Sequence, residues 1–161
     1  MSNLEFCIAR RKAELPAFLK VLKALPAGGL DYRPHPKART AADLAWLLAA
    51  EEASLVSLLD SGRIDWQEQK PPASVDAIVS AFERSANAVN ERLEKLGEQA
   101  WSKPGQFVVG GQVAWEDTVG NLVWGFLFDQ IHHRGQLSTY LRPMGGKVPA
   151  IYGPSADDTG Q

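Results

Sequence analysis

The chain has 161 residues, enough for one domain with a sizeable core and too few for two ordinary ones. Hydrophobic residues make up 45% and charged residues 22%, as in soluble globular proteins, and a net charge of −2 without a basic block argues against nucleic acid as a partner. The single cysteine, Cys7, excludes an intrachain disulfide and suits a reducing compartment. Arg10, Arg11 and Lys12 stand where a signal peptide would be apolar, and the longest apolar run, Leu122 to Phe128, is far too short to cross a bilayer. A cytoplasmic protein without membrane contact is expected.

From Leu4 to Leu25 the spacing predicts a helix whose stripe is Leu4, Cys7, Ile8, Leu15, Phe18, Leu19, Leu22 and Leu25, kinked or broken near Pro16. Pro26-Ala27-Gly28-Gly29 ends it. A loop follows, because Pro34-His35-Pro36 forces extended geometry. Thr40 is placed as the N-cap of a second helix, Ala41 to Asp60, with Asp43 in its first turn and Ser61-Gly62 at its end. Leu44, Leu47, Leu48, Leu55, Leu58 and Leu59 form its buried face. Arg63 to Ala73 is polar, carries Pro71-Pro72 and reads as a surface loop. Ser74 caps a third helix, Val75 to Leu96, with Ile78, Val79, Phe82, Val89 and Leu93 inward and its charges solvated. Between Gly97 and Ala114, Phe107-Val108-Val109 and Gln112-Val113 are spaced to pair as a small hairpin.

The last helix is expected from about Trp115 to Met144. Leu122, Phe126, Asp129, His133, Leu137 and Tyr140 recur at three and four residues, so they share one stripe. A carboxylate and an imidazole thus sit one turn apart on an otherwise apolar face, which costs free energy unless they are paired or bound to something. His132 lies about 100° round the helix and cannot share their centre. The pattern is all-α: four amphipathic helices hide their stripes best as a four-helix bundle with long second and third connections. Residues 1–154 are assigned to this single domain and residues 155–161 to a flexible C-terminal tail.

Three stretches resemble the DinB (damage-inducible) superfamily of four-helix-bundle proteins. They are Leu30-Asp31-Tyr32-Arg33-Pro34-His35-Pro36-Lys37-Ala38-Arg39-Thr40, then His132-His133-Arg134-Gly135-Gln136-Leu137, then Leu141-Arg142-Pro143-Met144-Gly145-Gly146 running on to Pro154. The resemblance implies a divalent metal held by three histidines, one from the second helix and a His-x-x-x-His pair from the last. Carried over by position, Leu47 stands where the second-helix histidine falls, Asp129 where the first of the late pair falls, and His133 matches. The resemblance also implies metal-dependent hydrolysis of a small electrophile, or thiol transfer to one.

Asp129 and His133 have the i, i+4 spacing of ligands on one helix, and nickel, zinc and iron(II) accept carboxylate and imidazole. Two ligands bind weakly. Glu51, one turn beyond Leu47 on the second helix, is the candidate third, and Leu47 and Glu51 together mark the pocket. Two readings stand: a divalent cation (Ni, Zn or Fe), held weakly or lost rather than tightly bound, or a hydrogen-bonded Asp129–His133 pair in a non-catalytic bundle that holds a small molecule or a partner. His35 is expected in solvent or a structural contact, Cys7 in packing, and Arg134 and Gln136 are expected to tie the segment from Gly145 to Pro154 to the bundle. Trp124 and Phe128, one turn apart on another face, suggest a homodimer surface.

Overall fold

A computed structural model of the chain describes residues 1–160. Four helices of 21 or 22 residues dominate it: α1 (Asn3–Lys23), α2 (Ala41–Ser61), α3 (Val75–Lys95) and α5 (Val119–Tyr140). A one-turn helix, α4 (Glu98–Trp101), and three strands, β1 (Arg63–Trp66), β2 (Pro104–Val109) and β3 (Gln112–Thr118), complete it. The molecule is therefore mostly helical with a small sheet rather than all-α. α1 packs on α3 and α5, and α2 packs on the same two.

Side-chain caps set the helix starts. Ser2 and Glu5 form a capping box at α1, Thr40 and Asp43 another at α2, and Ser74 and Thr118 accept from the first turns of α3 and α5. Gly62, with φ +76°, closes α2 in the left-handed conformation. Pro16 neither breaks nor ends α1. Buried residues on both sides of it, Leu4, Cys7 and Arg11 before and Phe18, Val21 and Leu22 after, hold the helix together through the lost hydrogen bond.

The strands correct two expectations. Arg63–Trp66, read as loop, is β1, pairing parallel to β2 with Ile64 opposite Phe107. A four-residue strand whose partner lies some forty residues on leaves no local pattern. Trp115 to Thr118, read as the opening of the last helix, is instead strand: Trp115 pairs with Phe107 and Thr118 with Pro104. The hairpin joining β2 and β3 turns on Gly110 and Gly111, both with positive φ as a two-residue hairpin turn demands. At its other end α5 stops at Tyr140, short of Met144.

The core has two apolar clusters. One gathers Phe18, Leu22, Leu44, Phe82 and Leu137, the other Cys7, Leu55, Leu93, Leu122 and Val123. At the seam between them each long helix contributes a buried polar side chain: Arg11 and Glu14 from α1, Glu51 and Glu52 from α2, Asn90 from α3, Gln130 and Arg134 from α5. The segment after α5 folds back: Arg134 donates to Glu14 at 2.6 Å and to the Tyr152 hydroxyl, which donates to Glu14 at 2.7 Å. Residues expected as a frayed tail are hydrogen-bonded as well. Ser155 Oγ donates to the Val148 carbonyl at 2.6 Å, and the carboxylates of Asp157 and Asp158 accept from the amides of Val148 and Ala150. Gln161, the last residue of that tail, lies outside the described residues.

Candidate metal and ligand site

α2 and α5 run side by side, and their middles bring Glu51, Asp129 and His133 together. One oxygen from each carboxylate and one imidazole nitrogen lie within 4.8 Å of one another. Asp129 and His133 are one turn apart on α5, with His133 Nε2 3.4 Å from Asp129 Oδ2. Glu51 reaches them from α2 and is only 2% exposed. Its Oε2 is buried without a hydrogen-bond partner. The Glu51 carboxyl is pushed up to about 9, first by burial, then by the facing Asp129 carboxylate and by Glu52, with Arg39 acting against them. Two facing acids need a proton or a cation between them, and an orphaned buried oxygen beside an imidazole is where either would sit.

His133 is held from its other side: its Nδ1 lies 2.8 Å from Gln136 Oε1. Assigned from that contact, the ring proton is on Nδ1 and the Nε2 lone pair is left for the cluster, as metal-binding histidines are usually braced. Gln136 thus serves His133 rather than the C-terminal segment, which Arg134 alone of the expected pair secures. The stripe is rotated from its expected facing. Asp129 is half exposed, and Gln130, wholly buried with neither amide atom partnered, occupies the inward position of that turn. Asp129 and His133 face an open cavity rather than the closed interior.

That cavity, about 450 Å³, is lined by Leu47, Glu51, Asp129 and His133, with Arg39 at one side and Trp66, Phe107, Trp115 and Phe126 as its apolar walls. Trp66 lies near Phe107 with ring centroids 6.1 Å apart, and Phe107 meets Phe126 edge-on at 5.6 Å. Trp115 is carried in by β3 and lies against Gly125, where an added Cβ would come 2.2 Å from the indole. The wall therefore depends on the hairpin that the sequence pattern showed only in part. Arg39, Trp66, Phe107, Trp115 and Gly125 were not anticipated. In the sequence Arg39 stands only in the run from Leu30 to Thr40, and Gly125 breaks an apolar helical run. Leu47 lies in the cavity wall, 9% exposed, a turn before Glu51.

The other expected positions fall elsewhere. His132 is exposed and lines a shallow groove with Pro34 and Tyr140. His35 is exposed, its Nδ1 accepting from the Lys37 amide at 3.1 Å. Cys7 is fully buried, and burial pushes its thiol up to about 11 against the pull of Arg11, so it is no nucleophile. Trp124 stacks on the exposed Phe128 with centroids 5.6 Å apart, and Phe6 of α1 joins them at 5.7 Å. Among the described residues no helix is long and apolar enough to cross a membrane.

Long helices flanked by a small sheet thus carry a carboxylate–imidazole cluster that could hold a metal ion. The family model described as the DinB family matches residues 9–160, and the chain belongs to that family. YrdA of Bacillus subtilis (strain 168), described as uncharacterized, is 25% identical over 146 residues, which is 90% of this chain and 85% of that one. A DinB-like protein of Bacillus cereus ATCC 10987 superposes with a TM-score of 0.76 at 20% identity, over 92% of this chain and 97% of that one. The DinB-like protein YjoA of Bacillus subtilis gives 0.66 at 15%, over 88% and 92%. A mutant of mycothiol-dependent maleylpyruvate isomerase shares the fold at a TM-score of 0.53 and 13% identity, over 91% of this chain and 62% of that one.

Proposed function

We propose that this chain is a DinB-family protein that holds a divalent cation on Glu51, Asp129 and His133 and takes a small molecule in the cavity beside it, for hydrolysis or for thiol transfer to a small electrophile. The carrying observation is the convergence of three ligand atoms within 4.8 Å from two helices, together with a Glu51 Oε2 that is buried and unpartnered. Two carboxylates and one imidazole suit zinc, iron(II) or nickel, and the two negative charges match a divalent ion. Such an ion supplies Lewis acidity toward an oxygen or sulfur of the bound molecule. The residues do the rest. Glu51 supplies a fixed anchor from the interior, Gln136 holds the His133 ring in register, and the aromatic walls keep water from the apolar part of the ligand. The thiol alternative draws support from the fold shared with the mycothiol-dependent isomerase.

Leu47, apolar in the cavity wall, favours a second reading in which the cavity binds a small molecule without metal. Metal analysis of untagged protein and calorimetric titration with zinc and nickel separate the two. The first reading expects one ion per chain, lost in Asp129→Ala and His133→Ala; substoichiometric metal unchanged by both substitutions overturns it. The exposed Phe6 and Phe128, with the half-buried Trp124 between them, support a homodimer, expected to become monomeric in Phe128→Ser by light scattering; a wild-type monomer removes that proposal.

A further inference from the structure

The cavity does not end at Arg39. A second hollow of about 360 Å³ lies beyond a partition of Arg39, Leu47 and Trp66, which line both spaces. Four charged side chains face it: Arg39, Lys70, Asp43 and Glu68. Asp43 is committed to the start of α2, accepting from the Thr40 amide at 3.3 Å and hydroxyl at 2.6 Å. Glu68 accepts from Arg39 at 2.9 Å, but the two side chains are 72% and 46% exposed, so the pair is weak and replaceable. Lys70 joins no ion pair among the described residues. Trp46, also in the wall, has an indole N–H buried without a partner.

The two spaces differ in what they accept. The first is walled by four aromatic rings, which suit an apolar body, and shares Arg39 with the second. The second offers a guanidinium whose one ion pair among the described residues is loosely held, and an unpaired ammonium. A planar guanidinium at the junction matches a carboxylate in two parallel hydrogen bonds. We propose that the two hollows form one two-part site for an elongated small molecule with an apolar or aromatic body and a terminal carboxylate, the carboxylate anchored on Arg39 and the opposite end presented to Glu51, Asp129 and His133. This rests on the reading of the cavity as a ligand site and adds the ligand's class and direction. Glu68 holds Arg39 in the empty state and yields to the ligand carboxylate.

The test uses the full chain stripped of metal by a chelator, so that a carboxylate cannot simply bind a cation. 4-Phenylbutyrate and its neutral amide, 4-phenylbutanamide, are titrated by calorimetry and tryptophan fluorescence. The acid is expected to bind at least about tenfold tighter than the amide, the worth of a charge-assisted pair. Arg39→Gln should abolish that preference, Arg39→Lys should restore part of it, and Glu68→Gln should tighten the acid severalfold. Equal binding of acid and amide, a preference that survives Arg39→Gln, or binding of neither compound overturns the proposal. Zinc titration of wild type and Glu51→Gln runs in parallel. A carboxylate preference without zinc binding keeps the two-part site and removes the cation; zinc binding without the preference does the reverse.

Discussion

Glu51 and Glu52 are neighbours on α2, each 2% exposed, and their surroundings are opposite. Glu52 turns toward α1 and α3, where Arg11 donates to it at 2.6 Å and Asn90 accepts from Arg11 at 3.2 Å. The space left there is about 10 Å³. Glu51 turns toward α5, where it meets another carboxylate, an imidazole, no paired cation and a cavity of about 450 Å³. Both carboxylates lose their water, but only Glu52 regains an opposite charge. A matched buried charge is structure; an unmatched one beside open space marks a site.

The largest expected effect tests the matched side. Glu52→Ala leaves Arg11 buried and uncompensated and should cost about 3–5 kcal/mol in urea unfolding. A loss below about 1 kcal/mol, the worth of an exposed pair, would mean that the two glutamates are not so different after all.

The unmatched side is tested by pH. With its folded value near 9 against an ordinary 4.5, Glu51 keeps its proton in the folded state over a range where the unfolded chain has lost it. Its contribution to stability is therefore fully present below about pH 4.5 and is lost as pH rises toward 9. Metal-free wild type should lose stability across that window, with a slope approaching about 1.4 kcal/mol per pH unit. Glu51→Gln should remove the slope. A slope that persists in the variant would show that another group titrates.

Two smaller effects sharpen the picture of the cavity. Gly125→Ala should drive the Trp115 indole off α5, costing about 1–3 kcal/mol in thermal unfolding and altering tryptophan fluorescence. An unshifted spectrum would mean that the wall is not built on that contact. Gln136→Ala frees the His133 ring and should weaken zinc about tenfold without changing stability. Unchanged zinc affinity would leave Gln136 without a role at the site.

The long helices, their caps and most of their buried faces follow from spacing and from Thr40, Asp43 and Ser74, because helix signals are local. Asp129 and His133 could be nominated for the same reason, since one helical turn sets which side chains share a face, and Glu51 because it lies one turn beyond Leu47, where the family resemblance implies a ligand. The site around them could not. Arg11 and Glu14 fall on the buried stripe of α1, yet their charge reads as solvent until Glu52 and Arg134 are brought across from other helices. Trp115 to Thr118 read as helix because their strand partners, Phe107 back to Pro104, lie outside any helical turn.

Sequence alone determined the long helices and the pairing of Asp129 with His133, properties of residues within a turn or two of one another, and its motifs carried the family and, through it, Glu51. Tertiary structure decided the rest: that Glu51 rather than Glu52 goes unmatched, that Asp129 borders open space, and that aromatic walls and Arg39 surround the cluster. These depend on which surfaces meet when distant elements pack, and a side chain's charge or hydropathy does not encode its neighbour from another helix.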